Sequence, residues 1–194
     1  IYLILRSRSQ YSEQIILDFN PDLVLFYGWS WIIPESLICR FTCLMLHPSP
    51  LPLYRGGSPL QNQIIAGETN SMVSLFIVNS KLDEGDIVGQ ESLSLKGSLS
   101  DIFARIESVG YMLTSQIISN GLKPVAQDHT KATYYKRRTP AESEISQHEF
   151  LNSSGEYLYN KIRMLNNPYP NAFFRTSDGK KLRIITASLD REDD

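Results

Sequence analysis

Residues 43–59 read Cys-Leu-Met-Leu-His-Pro-Ser-Pro-Leu-Pro-Leu-Tyr-Arg-Gly-Gly-Ser-Pro. The first four form a short apolar run with the length and character of a buried strand. The rest fits no regular element. Pro48, Pro50 and Pro52 lack backbone donors, and Gly56-Gly57 lets the chain turn freely. An irregular loop directly after a buried strand lies at a carboxyl edge of the sheet, where open α/β sheets bind ligands. His47 stands at that junction, held by a strand and facing a loop. A single histidine there suits a structural role as well as a chemical one.

Outward from this stretch, apolar runs alternate with helical spacing. Residues 1–5 (IYLIL) and 22–27 (DLVLFY) read as two further buried strands. Helices over 12–19 and 34–41 separate the three, and the alternation predicts βαβ units in a parallel sheet. Residues 58–66 predict another helix, with Pro59 in its first turn and Gly67 beyond its end. Strands over 72–78 and 87–95 flank the acidic loop Lys81-Leu-Asp-Glu-Gly-Asp86, followed by an amphipathic helix over 99–120 closed by Gly121. After residue 130 the texture changes. Residues 131–138 are basic and aromatic, 139–146 a polar linker, 154–165 a helix, and 173–189 a hairpin turning at Ser177-Asp-Gly179. The expected organisation is α/β, with a catalytic domain over 1–130 and a small annex over 131–194.

Composition excludes several classes. The 194 residues are 42% hydrophobic, 10% aromatic and 21% charged, an ordinary globular balance rather than a disordered one. No run reaches the roughly 18 apolar residues of a membrane span, and no signal peptide is recognisable. A net charge of −2 argues against a dominant nucleic-acid surface. Cys39 and Cys43 cannot form a disulfide framework, which favours a reducing cytoplasmic setting. Cys39, Cys43 and His47 share a four-residue spacing, but a strand scatters that face and no fourth ligand completes a zinc set, so no metal is expected.

Two pieces of sequence gain meaning together. His47 and Asp83 lie 36 residues apart, each at the end of an expected strand. His47-Pro-Ser49, Leu51-Pro52 and Tyr54-Arg-Gly56, followed by Leu82-Asp-Glu-Gly-Asp-Ile87, resemble the formyltransferases that use N10-formyltetrahydrofolate. That family carries Asn-x-His, Ser-Leu-Leu-Pro, Arg-Gly and Leu-Asp-x-Gly-Asp at this same His-to-Asp separation. The resemblance implies a Rossmann-like, mostly parallel sheet with a helix-plus-hairpin annex. It also implies that His47 stabilises the developing oxyanion and donates a proton, with Asp83 as its partner and proton relay. By the same resemblance the pterin would lie against Trp31, Ile32 and Ile33 and against the backbone of Asn79, Ser80, Lys81 and Leu82. Tyr54, Arg55 and Gly56 would face the substrate, although Arg55 could equally brace its own glycine loop.

Two departures stand out. The family's catalytic Asn falls on Met45, and a thioether cannot donate a hydrogen bond. A different donor such as Ser49 or a backbone N–H, a slow enzyme, or a non-catalytic folate- or nucleotide-binding relative all fit that change. Family members also open with a strand and helix before the segment matching Ile1, so the sheet is expected to lack its first strand and helix. Among acceptors, the annex segments 132–140, 158–163 and 169–173 resemble those of sugar-nucleotide formyltransferases. The expected partner is therefore a nucleotide-linked amino sugar of surface-glycan (lipopolysaccharide O-antigen) synthesis, with a homodimer formed through the annex. A methionyl-tRNA acceptor is the alternative.

Overall fold

The computed structural model describes residues 1–190. Helix α1 (Glu13–Phe19) starts where the Ser12 hydroxyl accepts the Ile15 N–H, and it stops at Asn20 in the left-handed conformation. Strand β1 (Leu23–Phe26), helix α2 (Glu35–Arg40) and strand β2 (Thr42–His47) complete a parallel unit. Leu23 pairs with Thr42, and Phe26 with Met45. After the proline loop come the two-residue strand β3 (Arg55–Gly56), helix α3 (Pro59–Ile65) and the long strands β4 (Asn70–Ile77) and β5 (Ile87–Ser94).

The main sheet runs β1-β2-β4-β5. The α/β, Rossmann-like class expected from the alternation is present in a mixed sheet. β1 and β2 are parallel, whereas β4 runs antiparallel to β2 and to β5. One expectation fails. Residues 1–5 form no strand, and Ile1 to Ile4 are exposed. An apolar run becomes a strand only where another strand accepts its backbone bonds, and among the described residues none lies beside it.

Helix α4 (Leu99–Asn120) carries a capping box. The Ser98 hydroxyl accepts the Asp101 N–H while the Asp101 carboxylate accepts the Ser98 N–H. The helix packs against β5, where Leu99, Ile102, Leu113 and Ile117 are buried. Strand β6 (Tyr134–Tyr135) pairs with β3, followed by α5 (Gln147–Asn152), α6 (Gly155–Met164) and the hairpin β7 (Phe173–Arg175) and β8 (Lys181–Arg183). Two apolar clusters divide the interior. The larger joins Leu44, Leu75 and Leu93 of the sheet to Ile145, Ile162 and Met164 of the annex, so the annex shares the sheet's core. The smaller lies on the other face of the β1–β2 pair, formed by Ile16, Phe26, Ile33, Leu37, Phe41 and Cys43. No helix among the described residues is long and apolar enough to cross a membrane.

Candidate active site

Strand alternation decides where His47 points. Leu44 and Leu46 face the larger cluster, so Cys43, Met45 and His47 share the opposite face. Burial there pushes the Cys43 thiol up to about 11, which makes it an inert packing group. His47 is 5% exposed. Its Nε2–H donates to the Tyr54 carbonyl at 2.9 Å, and its Nδ1 lies 3.8 Å from Asp83 Oδ2. Because a carbonyl can only accept, Nε2 carries the hydrogen and Nδ1 is the nitrogen turned toward the carboxylate.

The loop after His47 is tied to the sheet at Ser49 and Leu51. The Ser74 hydroxyl donates to the Ser49 carbonyl at 2.6 Å and accepts the Leu51 N–H, while Gln90 Nε2 donates to the Leu51 carbonyl at 2.9 Å. Gln63 Nε2 holds the Pro48 carbonyl at 2.8 Å. Short backbone turns satisfy the His47, Ser49 and Pro50 carbonyls, and these side chains supply donors that the prolines lack. The next stretch pairs with the start of the annex. The Arg55 N–H donates to the Thr133 carbonyl and the Gly57 N–H to the Tyr135 carbonyl. That pairing needs glycine at Gly56, where φ is +92° and a Cβ would stand 2.4 Å from the Tyr135 carbonyl oxygen.

Asp83 arrives from the loop between β4 and β5. It is 7% exposed, its φ is +53°, and its Oδ2 accepts the Gly56 N–H at 2.7 Å. The loop folds this tightly because Gly85 presses on the end of β4; a Cβ there would meet the Ile77 carbonyl oxygen at 1.6 Å. The Leu-Asp-Glu-Gly-Asp pattern thus places a carboxylate beside the imidazole, and its glycine makes room for the turn.

Other residues singled out from the sequence fare differently. Arg55 turns inward. It is fully buried, with its guanidinium spent on Gln127, Tyr134 and His129, so it braces the loops. Tyr54 is half-buried, stacked on Tyr135 with ring centroids 5.0 Å apart, and burial together with Glu68 pushes its phenol up to about 12. Trp31 and Ile32 are exposed, whereas the Ile33 side chain is committed to the smaller cluster and has no surface to offer a ligand. Asn79, Ser80, Lys81 and Leu82 are all exposed. Ser49 cannot replace the missing donor, since it is fully buried and its hydroxyl donates to the Leu53 carbonyl at 2.8 Å. Met45 packs against the smaller cluster beside His47. Sequence reading missed Ser74, Gln90 and Gln127, which belong to no motif and reach the site only through tertiary contact.

Trp29 adds a further element at the carboxyl end of β1. It lies within 5.4 Å of the rings of Tyr11, Phe26 and Trp31, centroid to centroid. Trp29 Nε1 and the Tyr11 hydroxyl are buried without a hydrogen-bond partner among the described residues.

Comparison with known proteins agrees with this geometry. The family model described as Formyl transferase matches residues 5–118. Methionyl-tRNA formyltransferase of Rickettsia typhi is 32% identical over 186 residues, covering 93% of this chain and 59% of that protein. The chain therefore spans about three fifths of the length of the curated relatives it matches. The solved methionyl-tRNA formyltransferase from Clostridium thermocellum superposes with a TM-score of 0.83 at 31% identity, covering 93% of this chain and 83% of that one. A sugar N-formyltransferase from Shewanella shares the fold, with a TM-score of 0.74 at 19% identity over 93% of this chain and 76% of that one. An imidazole and a carboxylate brought together by two distant loops, a sheet of this topology and a family match over more than half its length place the chain in the formyl transferase family.

Proposed function

We propose that the protein transfers a formyl group from N10-formyltetrahydrofolate to a primary amine, with His47 and Asp83 as its catalytic pair. The observation that carries this reading is the approach of His47 Nδ1 to Asp83 Oδ2 at 3.8 Å in a nearly closed setting. When bound, the folate supplies an activated formyl carbon. The amine nitrogen forms a bond to that carbon, the bond to the folate nitrogen breaks, and the amine proton ends on that nitrogen. With Nε2–H held by the Tyr54 carbonyl, His47 acts as the imidazolium and presents Nδ1–H to the formyl oxygen, where negative charge collects, and in a water-poor site such a donor counts for more than in solution. Asp83 holds the imidazole in place and accepts the proton in transit from the amine, directly or through one water.

The residues around the pair fit the folate. Trp31 and Ile32 offer exposed apolar surface, and residues 79–82 are exposed. Met45 supplies no hydrogen bond. The oxyanion therefore rests on His47 without the second side-chain donor of the family pattern, and transfer is slower for it.

For the acceptor, similarity favours methionyl-tRNA over a nucleotide-linked amino sugar. The relatives near 30% identity carry the former name, whereas the likeness to the sugar enzyme is one of fold. Net charge argued the other way, but phosphate recognition depends on local charge. Lys131, Lys136 and Arg137 are exposed on the segment that contains β6, and β6 pairs with β3. The test is formyl transfer to methionyl-tRNA and to UDP- and dTDP-linked amino sugars in parallel. Turnover on the tRNA alone supports this acceptor. Turnover on a sugar nucleotide alone restores the sugar reading and the annex-mediated dimer that accompanies it.

A further inference from the structure

Gln127 lies outside every motif, yet it is 5% exposed and uses all of its hydrogen-bonding capacity at the back of the site. Its Nε2 donates to the Asp83 carbonyl at 3.0 Å and to the Gly85 carbonyl at 2.6 Å. Its Oε1 accepts from Arg55 Nε at 3.1 Å and from an Arg55 terminal nitrogen at 2.6 Å. Arg55 continues to the Tyr134 hydroxyl at 2.7 Å, and that hydroxyl donates to Glu84 Oε1 at 2.6 Å. Three consecutive residues, 83 to 85, are thus gripped from one side, while the Asp83 carboxylate takes the Gly56 N–H on the other. The tyrosine bond, aided by Lys81 and Arg55, holds the Glu84 carboxyl below its usual range.

We infer that Gln127 is a positioning residue that sets the Asp83 carboxylate against His47, with Arg55 as its anchor. Asp83 has a left-handed backbone, a conformation that costs energy for a residue with a Cβ and persists only where its surroundings impose it. Here the surroundings are the two carbonyl contacts from one amide group. An amide suits the position because it donates twice on one side and accepts twice on the other. A carboxylate would satisfy Arg55 equally well but would turn an acceptor toward both loop carbonyls.

That difference separates positioning from mere satisfaction of a buried arginine. The inference rests on the proposed formyl transfer, so the experiment has one readout that depends on it and one that does not. Gln127→Glu and Gln127→Met are prepared in the full chain and compared with the parent by steady-state formyl transfer. The exchange of the Gly56 amide, which reports whether Asp83 Oδ2 stays in place, is followed by NMR. The expected result for Gln127→Glu is a kcat about 10- to 100-fold lower with KM for the folate nearly unchanged, since small misplacements of a reacting group cost about that much. Gly56 exchange should rise about tenfold or more while the amides of β4 keep their protection. Gln127→Met should behave likewise; if it fails to fold, the glutamate variant decides alone. Parent-like kcat and Gly56 protection in Gln127→Glu would overturn the inference and leave Gln127 as a partner for Arg55 only. A parent without turnover overturns the transfer reading instead, and Gly56 exchange still decides the clamp.

Discussion

His47 and Asp83 face each other across 3.8 Å, although one ends a central strand and the other sits in a loop two strands further on. Each is fixed by a backbone contact of the same short segment: His47 donates to the Tyr54 carbonyl, and Asp83 accepts the Gly56 N–H. The segment 54–56 therefore works as a spacer that holds acid and base at a set distance. Its own position is set by pairing with β6, so the start of the annex belongs to the architecture of the site.

Met45 shares a strand face with His47 and brings an apolar side chain where the family pattern has an amide. Met45→Asn should raise kcat by about 10²-fold, the usual worth of one oxyanion donor, with KM little changed. Steady-state formyl transfer measures it. An unchanged rate would mean that His47 suffices.

Gly85 has no room for a side chain. Gly85→Ala should destabilise the protein by about 1–3 kcal/mol, as overpacking does, and lower the rate by pushing Asp83 away. Urea denaturation of the variant reads the stability, and initial rates read the displacement.

A pH effect is expected from the annex. Lys161, 3% exposed, places its Nζ 2.6 Å from Glu149 Oε1 and 2.7 Å from the Glu144 carbonyl. Burial raises the Glu149 pKa, but the Lys161 contact and the Tyr157 hydroxyl outweigh it, and the net shift is downward. A carboxylate with a depressed folded pKa contributes stability above its unfolded value of about 4.3, and that contribution is lost as pH falls through the folded pKa. Melting temperature should therefore drop as pH falls from about 5. Glu149→Gln should flatten that slope while lowering stability at neutral pH, because it leaves the Lys161 ammonium with less compensation.

Much of this was legible from residue order. The apolar runs marked β1, β2, β4 and β5, the amphipathic spacing over 99–120 and Gly121 marked α4, and the two motifs named His47 and Asp83. What stayed hidden depends on the third dimension. Residues 1–5 have strand composition, but composition does not supply a neighbouring strand. The sequence leaves Arg55 evenly between a ligand contact and a brace for its own loop, because nothing local shows that Gln127 and Tyr134 fold over it. Ser74 and Gln90 are each one of several polar residues in β4 and β5, and only the sheet pairing brings them beneath the proline loop.

The central claim is that His47 and Asp83 together carry formyl transfer, and one comparison tests it most directly. Single-turnover formyl transfer would be measured for the parent, His47→Gln and Asp83→Asn, each checked for native folding by circular dichroism. Both substitutions preserve size, and Asp83→Asn still offers an oxygen to the Gly56 N–H. The account predicts rates at least about 10²-fold below the parent in both, the usual share of a positioned acid or base. A natively folded variant that transfers formyl at the parent's rate would contradict it.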